Sequence, residues 1–223
     1  MNQIPDIGTM VSKSDSSKGC LQTLVRSRPS PYYQDDRCTI YHGDCLEILD
    51  SIAPKIDIII TDPPYPDYYQ KEYEYWDGCT DFLKKIPCRQ IIFWTAKQEF
   101  PMCYDARHVW DKITGAANQY DFIYERNGNK RQMVFRGHRI NSTVSAQFAG
   151  EYFYGHKSQK PIRLMRELVS KFSKPSDTIF DPFMGSGTTL LAAKELGRKA
   201  IGIERSERWC KISKMRIAQC ELF

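Results

Sequence analysis

The 223-residue sequence has no apolar run of the roughly 18 residues that a membrane-spanning helix needs. Its first residues also lack the basic stretch and following apolar stretch that mark a secretory signal. We therefore expect a cytoplasmic protein without a membrane partner.

Metal-ligand patterns are missing as well. The eight cysteines form neither a CxxC pair nor a cysteine-histidine cluster at zinc-ligand spacing. In a reducing cytosol we interpret them as small packing residues rather than as a disulfide framework. No metal site is predicted.

Periodicity is scarce in residues 1–36, which we interpret as a flexible N-terminal tail. Residues 37–223 have the length of one ordinary domain. Apolar runs predict strands at Thr39–His42, Ile56–Thr61, Gln90–Trp94, Asp121–Tyr124, Thr178–Asp181 and Lys199–Glu204. Helical spacing predicts helices over residues 161–172, Thr188–Leu196 and Glu207–Cys220. The alternation predicts an α/β fold with an open, mostly parallel sheet, helices on both faces and ligands at the carboxyl ends of the strands.

The net charge is only +5, but its distribution is uneven. Residues 1–103 have 11 Lys and Arg against 15 Asp and Glu, residues 104–163 have 10 against 5, and residues 164–223 have 11 against 7. An acidic first part and a basic remainder suit a polyanionic partner on one side of the molecule.

A glycine-rich turn follows the strand that ends at Asp181 and opens the helix at Thr188. Gly185 and Gly187 let the backbone pass close to a ligand, and a helix N-terminus offers free amides to an anionic group such as a carboxylate. Asp181 suits an ammonium group, and Glu204 ends the next strand, where an acid can accept ribose hydroxyls. Together these groups describe S-adenosylmethionine better than a dinucleotide, whose pyrophosphate Asp181 would repel. A generic turn between strand and helix is the alternative.

A second loop, Asp62-Pro63-Pro64-Tyr65, follows the predicted strand Ile56–Thr61. Two successive prolines fix the backbone and remove two amide donors, so carbonyl oxygens face a ligand. With the Asp62 carboxylate and the Tyr65 ring, the loop can accept the protons of an aromatic amine and stack on its plane. A structural proline-rich turn is the alternative for this loop taken alone.

The two loops together, Asp62-Pro63-Pro64-Tyr65 and Asp181-Pro182-Phe183-Met184-Gly185-Ser186-Gly187-Thr188-Thr189, resemble the amino-group DNA methyltransferases. These enzymes make N6-methyladenine or N4-methylcytosine. The order, with the catalytic loop before the cofactor loop, resembles the beta class. The resemblance implies a Rossmann-like S-adenosylmethionine-dependent methyltransferase fold with a circularly rearranged motif order.

The resemblance also implies roles for individual residues. The catalytic residues are Asp62, Pro63, Pro64 and Tyr65. The cofactor-binding residues are Asp44, Cys45, Lys160, Pro161, Asp181, Pro182, Phe183, Gly185, Ser186, Gly187, Thr188 and Glu204, with Lys160 and Pro161 at the carboxylate end of the cofactor. The resemblance places Trp94 near the cofactor as well, although an aromatic residue at a strand end can simply pack.

Chemistry then suggests a mechanism. The lone pair of an exocyclic amine is delocalised into the ring, so hydrogen bonds to the Asp62 carboxylate and the Pro63 carbonyl would favour a pyramidal nitrogen aimed at the methyl group. Because the amine is inaccessible inside a duplex, we expect the base to flip out and stack on Tyr65.

Residues 126–152 form a small target-recognition insertion in this interpretation, since cations and amides that reach phosphates and base edges are concentrated there. The predicted DNA-binding residues are Arg126, Lys130, Arg131, Arg136 and Arg139. The insertion is short, which favours a short recognition sequence or a homodimer on double-stranded DNA.

Several alternatives stay open. Asp at the head of the catalytic loop favours adenine, whereas Ser is commoner in the N4-cytosine enzymes. RNA or protein methylation and a non-catalytic DNA-binding module fit the motifs less well. The resemblance implies a bacterial or phage-infected bacterial cell, but it does not distinguish a restriction endonuclease partner from phage anti-restriction or epigenetic marking.

Overall fold

The computed structural model of the chain describes residues 29–52, 55–65, 78–114 and 118–220. Most of the predicted N-terminal tail, residues 1–28, lies outside this range. Within the described residues no helix is long and apolar enough to cross a membrane.

In the described part of the chain, nine strands form one sheet in the order β1-β2-β9-β8-β3-β4-β6-β5-β7. The strands are β1 (Tyr33–Gln34), β2 (Cys38–His42), β3 (Ile58–Thr61), β4 (Arg89–Trp94), β5 (Ala106–Asp111), β6 (Tyr120–Arg126), β7 (Val134–Arg136), β8 (Thr178–Asp181) and β9 (Lys199–Glu204).

Parallel pairing dominates the middle of the sheet. The five neighbouring strands β2, β9, β8, β3 and β4 are parallel, whereas β1 and β6 pair antiparallel with β2 and β4. The prediction of a mixed, mostly parallel sheet is confirmed. The carboxyl ends of the five parallel strands therefore meet at one edge, which we call the carboxyl edge; the opposite one is the amino edge.

Helices cover both faces because buried side chains alternate along the strands. Ile58 and Ile60 of β3 face one apolar cluster, and Ile59 faces the other. Three helices pack on the first face: α4 (Ile162–Phe172), α5 (Thr188–Glu195) and α6 (Glu207–Gln219). Helices α1 (Cys45–Ile52) and α2 (Cys79–Lys84) cover the other face, and α3 (Thr143–Ala149) lies in the insertion between β7 and α4.

The boundary predicted for the N-terminal tail is wrong at its carboxyl end. Strand β1 pairs with β2, so the folded domain already includes Tyr33 and Gln34. The Asp35 carboxylate accepts a hydrogen bond of 2.7 Å from the Lys194 ammonium, and both side chains are at most 10% exposed. This buried ion pair ties the segment to α5.

Candidate active site

A cavity of about 710 Å³ opens at the carboxyl edge. It lies where β8 and β3 adjoin, the part of an α/β sheet where ligands bind. All four predicted catalytic residues line it. Ten predicted cofactor residues do so too: Asp44, Cys45, Lys160, Asp181, Pro182, Phe183, Gly185, Ser186, Thr188 and Glu204.

Pro161 and Gly187 are not among the described lining residues, so their predicted contact with the cofactor stays a prediction. Pro161 is the N-cap of α4. Gly187 is the N-cap of α5 with φ +75°, and a Cβ at this position would lie 2.6 Å from Ser213 Oγ. Gly187 therefore permits the turn and the close packing of α6 against it.

Both carboxylate oxygens of Asp62 have partners at the head of the proline loop. The Tyr65 hydroxyl donates to Oδ1, and the Lys160 ammonium donates to Oδ2. The structure thus brings Lys160, predicted to contact the cofactor, to the carboxylate of the predicted catalytic residue Asp62. The Asp62 side chain is 21% exposed, so the pair faces the cavity rather than the core.

The Tyr65 ring is held from behind. It packs edge-on against Trp94 with ring centroids 5.1 Å apart, and Trp94 is 1% exposed. Trp94 Nε1 donates to the Glu99 carbonyl, so the indole is held at the strand end. The catalytic loop is therefore fixed by an aromatic neighbour on one side and by Asp62 on the other.

Asp181 is buried at the end of β8 and links that strand to the neighbouring β3. Its Oδ1 accepts hydrogen bonds from Thr61 Oγ1 at 2.7 Å and from the Phe183 amide at 3.2 Å. Burial raises the pKa of Asp181 to about 6, against the lowering effect of hydrogen bonds from Thr189 and Thr61. A buried acid of this kind favours a cationic partner, which would stabilise its ionised form. The sequence assigned no role to Thr61, which directly precedes the first motif, or to Thr189, which ends the second.

Glu204 supports the glycine-rich turn. Its Oε2 accepts a hydrogen bond of 3.0 Å from the Gly185 amide, and Oε1 accepts one of 2.8 Å from the Ser206 amide. Burial raises the pKa of Glu204 although these amides act to lower it. Each oxygen retains a lone pair that can accept a further hydrogen bond.

His156 forms part of the cavity wall that sequence reasoning did not assign. A Cβ at Gly185 would lie 2.9 Å from His156 Nε2, so the glycine lets the imidazole approach the turn. The ring packs on Trp209 with centroids 4.5 Å apart. Burial and the nearby Lys160 lower the pKa of His156 to about 4, so the imidazole is neutral at physiological pH.

Arg216 supports the glycine-rich turn from below. Its Nη1 donates to the Ser186 carbonyl at 2.6 Å and to Thr188 Oγ1 at 3.0 Å, and its guanidinium lies 4.6 Å from the Tyr154 ring centroid. Arg216 is 4% exposed. No local sequence signal marks this role, because it depends on the packing of α6 against the turn.

The predicted DNA-binding residues separate between the two edges of the sheet. Arg126 ends the antiparallel β6 at the amino edge, where it donates to the Cys103 carbonyl and to Gln90. This position separates Arg126 from the carboxyl edge, so its predicted contact with DNA stays a prediction that only DNA at the amino edge would meet. Lys130 and Arg131 are exposed in the loop that leads from that edge to β7. Arg136 ends β7 at the carboxyl edge, beside Asp111 at the end of β5.

Arg139 follows β7 and lines a second, smaller cavity of about 230 Å³. Tyr65, Ser158 and Lys160 line both cavities, so the second one adjoins the catalytic loop.

The sequence is similar to those of known proteins. Residues 86–215 match the N6/N4 methyltransferase family model, described as DNA methylase. The chain is 42% identical to the Type II methyltransferase M.HinfI of Haemophilus influenzae, over 81% of this chain and 68% of that protein. The chain belongs to the beta-class amino-group DNA methyltransferases.

This DNA methyltransferase also has more distant relatives. It is 24% identical to the DNA adenine methyltransferase YhdJ of Escherichia coli K12, over 80% of this chain and 82% of that protein. Two solved structures share the fold. The M1.HpyAVI complex with S-adenosylmethionine matches with a TM-score of 0.56 and 24% identity, covering 81% of this chain and 98% of that one. The cytosine-N4-specific PvuII methyltransferase matches with a TM-score of 0.63 and 18% identity, covering 83% of this chain and 88% of that one. The methyl donor of the family is S-adenosylmethionine.

Proposed function

We propose that the enzyme transfers a methyl group to N6 of an adenine that is flipped out of double-stranded DNA. The observation that carries this proposal is the Asp62 carboxylate in the wall of the cavity that also holds Asp181 and Glu204. An aspartate at the head of the loop favours adenine over cytosine, and the relative YhdJ is described as an adenine methyltransferase.

The donor set of the cavity fits S-adenosylmethionine. In the proposed arrangement Asp181 accepts the ammonium group, and the free lone pairs of Glu204 accept the ribose hydroxyls. The backbone amides at the start of α5 face the carboxylate. When bound, S-adenosylmethionine supplies an electrophilic methyl carbon.

Asp62 holds the acceptor amine in the proposed reaction. The amine hydrogens replace Lys160 and Tyr65 as donors to the Asp62 carboxylate, and the Pro63 carbonyl accepts the second hydrogen. The nitrogen lone pair forms the new N–C bond while the C–S bond breaks and its electron pair stays on sulfur. The nitrogen then loses one proton, which Asp62 accepts and passes to water. Most of the catalysis is positioning and electrostatics.

Tyr65 is the stacking surface for the base. Its edge contact with Trp94 holds the ring in one orientation, so a base can lie against a surface formed before DNA binds. Extruding the base costs a few kcal/mol, which contacts in the cavity offset.

The test is transfer of labelled methyl groups from S-adenosylmethionine to unmethylated duplex DNA, followed by nucleoside analysis. We expect N6-methyladenine. Asp62→Ala should lower transfer at least about 100-fold while S-adenosylmethionine still binds, because the acceptor of the amine is lost. Asp36→Ala is the matched control, since Asp36 is an exposed aspartate outside the cavity.

Two results would contradict the proposal. Full activity of Asp62→Ala would show that the carboxylate is not needed for transfer. N4-methylcytosine as the product would show that the target base is cytosine and not adenine. The homodimer and the endonuclease partner stay predictions, which the mass of the complex in solution and a co-purification would test.

A further inference from the structure

The second cavity, of about 230 Å³, adjoins the catalytic loop and is rich in cations. Lys97, Lys112, Arg139 and Lys160 line it, and among the described lining residues Asp121 supplies the carboxylate. The described part of the lining therefore has more cations than anions beside the residue proposed to stack the target base.

Most of this charge is held away from water. The Lys112 side chain is 4% exposed and donates to Asp121 Oδ2 at 2.6 Å and to the Asn118 carbonyl at 3.3 Å. Lys160 is 12% exposed, and Arg139 is half-buried. Cations confined in this way interact more strongly with each other, and with an arriving anion, than cations on an open surface do.

The cations also repel each other. Burial lowers the pKa of Lys112, and the nearby Arg139 and Lys160 lower it further, whereas Asp121 acts to raise it. An anion in the cavity would relieve this repulsion.

The topology fixes the cations at the carboxyl edge. Lys112 follows the last residue of β5, and its ammonium pairs with Asp121, the second residue of β6, which lies opposite Trp110 in the register. Trp110 Nε1 donates to the Gly137 carbonyl at 2.9 Å, and the Gly137 amide donates to the Asp111 carbonyl, which holds the segment leading to Arg139 against β5. These contacts hold Lys112 and the segment that leads to Arg139 at the ends of β5 and β6.

We propose that the second cavity binds a backbone phosphate adjacent to the flipped nucleotide, with Arg139 and Lys112 as its principal ligands. This inference rests on the proposed function, because it takes the base to lie on Tyr65. Tyr65 belongs to both cavities, so a nucleotide with its base on Tyr65 carries its phosphate toward the second one. Arginine pairs readily with phosphate oxygens through two parallel hydrogen bonds.

A phosphate in the second cavity would also offer the Lys160 ammonium an anionic partner other than Asp62. In the structure its ammonium donates to Asp62, where the substrate amine is proposed to bind. Because Lys160 lines both cavities, a phosphate in the second one can attract the ammonium away from Asp62 as the base arrives.

The experiment replaces single phosphates by neutral methylphosphonates, one at a time, in a duplex that the enzyme methylates. Dissociation constants are measured for the wild type, for Arg139→Gln and for Lys174→Gln. Lys174→Gln is the control, because it removes one exposed cation from the loop before β8, at the amino edge. Melting temperatures and an Arg139→Lys variant, which retains the charge, separate a folding defect from a lost contact.

We expect the wild type to lose about tenfold in affinity when a phosphate next to the methylated adenine is neutralised, and Arg139→Gln to lose about as much on unmodified DNA. Combining the two changes should add little, because both remove the same contact. Lys174→Gln should behave like the wild type at every position.

Additive losses at every phosphate, or equal losses for Lys174→Gln and Arg139→Gln, would overturn the inference. So would tight binding of inorganic phosphate in the absence of DNA together with no effect of any methylphosphonate, since the cavity would then be a site for a free anion. Failure of the wild type to methylate any duplex would instead overturn the proposed function itself, a result that the transfer assay reports separately.

Discussion

At the residue scale, three carboxylates at the ends of parallel strands have different partners and therefore different chemistry. Asp62 accepts from the Lys160 ammonium and the Tyr65 hydroxyl, both of which can move aside for a substrate amine. Glu204 accepts two backbone amides, which fix the glycine-rich turn. Asp181 is buried, with no cation among its hydrogen-bond partners in the described part of the chain. It is the carboxylate that gains most from binding an ammonium group.

This difference leads to a prediction on pH. Burial raises the pKa of Asp181 to about 6, so a growing fraction of the free enzyme carries a neutral Asp181 as the pH falls below 6. An ammonium ligand binds the ionised form. The dissociation constant for S-adenosylmethionine should therefore rise below pH 6, approaching tenfold per pH unit. Calorimetric titration between pH 5 and 8 measures it.

Asp181→Asn is the matched variant, because the amide oxygen can still accept the hydrogen bond from Thr61. It should bind S-adenosylmethionine weakly at all pH values and lose the dependence below pH 6. The same steep dependence in Asp181→Asn would assign the titration to another group.

At the element scale, local patterns predicted the cofactor half well. Strands Thr178–Asp181 and Lys199–Glu204 have the predicted bounds, and α5 and α6 begin at the predicted residues. Apolar runs and flanking glycines are local signals, so one sequence is enough to find them.

Strand β5 was missed because its burial depends on distant residues. His108 is fully buried in β5, where it contacts Glu125 of β6 at 3.2 Å, and Glu125 also accepts from Arg89 of β4. Arg107, on the exposed side of β5, lies over the Phe122 ring at 4.6 Å. A segment with Arg and His at such positions is predicted as a loop unless the residues that pair with their side chains are known.

The turn before α5 gives a prediction on stability. Gly187→Ala should lower the free energy of unfolding by about 3 kcal/mol, because φ +75° disfavours a side chain and Ser213 lies in the way. Gly150→Ala is the control: φ is +69°, but no described atom lies within 4 Å of the added Cβ, so only about 1 kcal/mol should be lost. Urea denaturation measures both changes, and equal losses would contradict the packing argument.

Strand β1 gives a second prediction at this scale. Asp35→Ala should lower the free energy of unfolding by about 3 kcal/mol, since it removes a buried ion pair with Lys194 and the acceptor of the Arg37 and Cys38 amides. The neighbouring Asp36→Ala should change it by less than about 0.5 kcal/mol, because the Asp36 side chain is 71% exposed. Similar values for the two variants in thermal and urea unfolding would mean that β1 contributes little to the fold.

At the scale of the whole molecule, the sheet sorts charges that the sequence groups together. Arg126 and Arg136 belong to one basic stretch, and sequence alone assigned both to DNA. Strand β6 runs antiparallel to β4 and ends at the amino edge, whereas β7 runs parallel to β5 and ends at the carboxyl edge. The direction of a strand depends on pairing between distant segments, so the sequence could locate the basic stretch but not divide it.

This division predicts opposite effects for two variants that each remove one positive charge. Arg136→Gln should weaken DNA binding severalfold and reduce the salt dependence by about one counterion, because its side chain is 75% exposed and β7 ends at the same carboxyl edge as the active site. The Arg136 side chain contacts Asp111 through a single exposed ion pair of 3.5 Å, so the melting temperature should stay the same.

Arg126→Gln should leave DNA affinity unchanged but lower the free energy of unfolding by about 1–2 kcal/mol, since the guanidinium donates hydrogen bonds to Cys103 and Gln90 at the opposite edge. Fluorescence anisotropy over a range of salt concentrations, together with melting curves, compares the two. Weaker DNA binding by a fully folded Arg126→Gln would show that DNA reaches the amino edge, and the assignment of the DNA-binding face to the carboxyl edge would then be wrong.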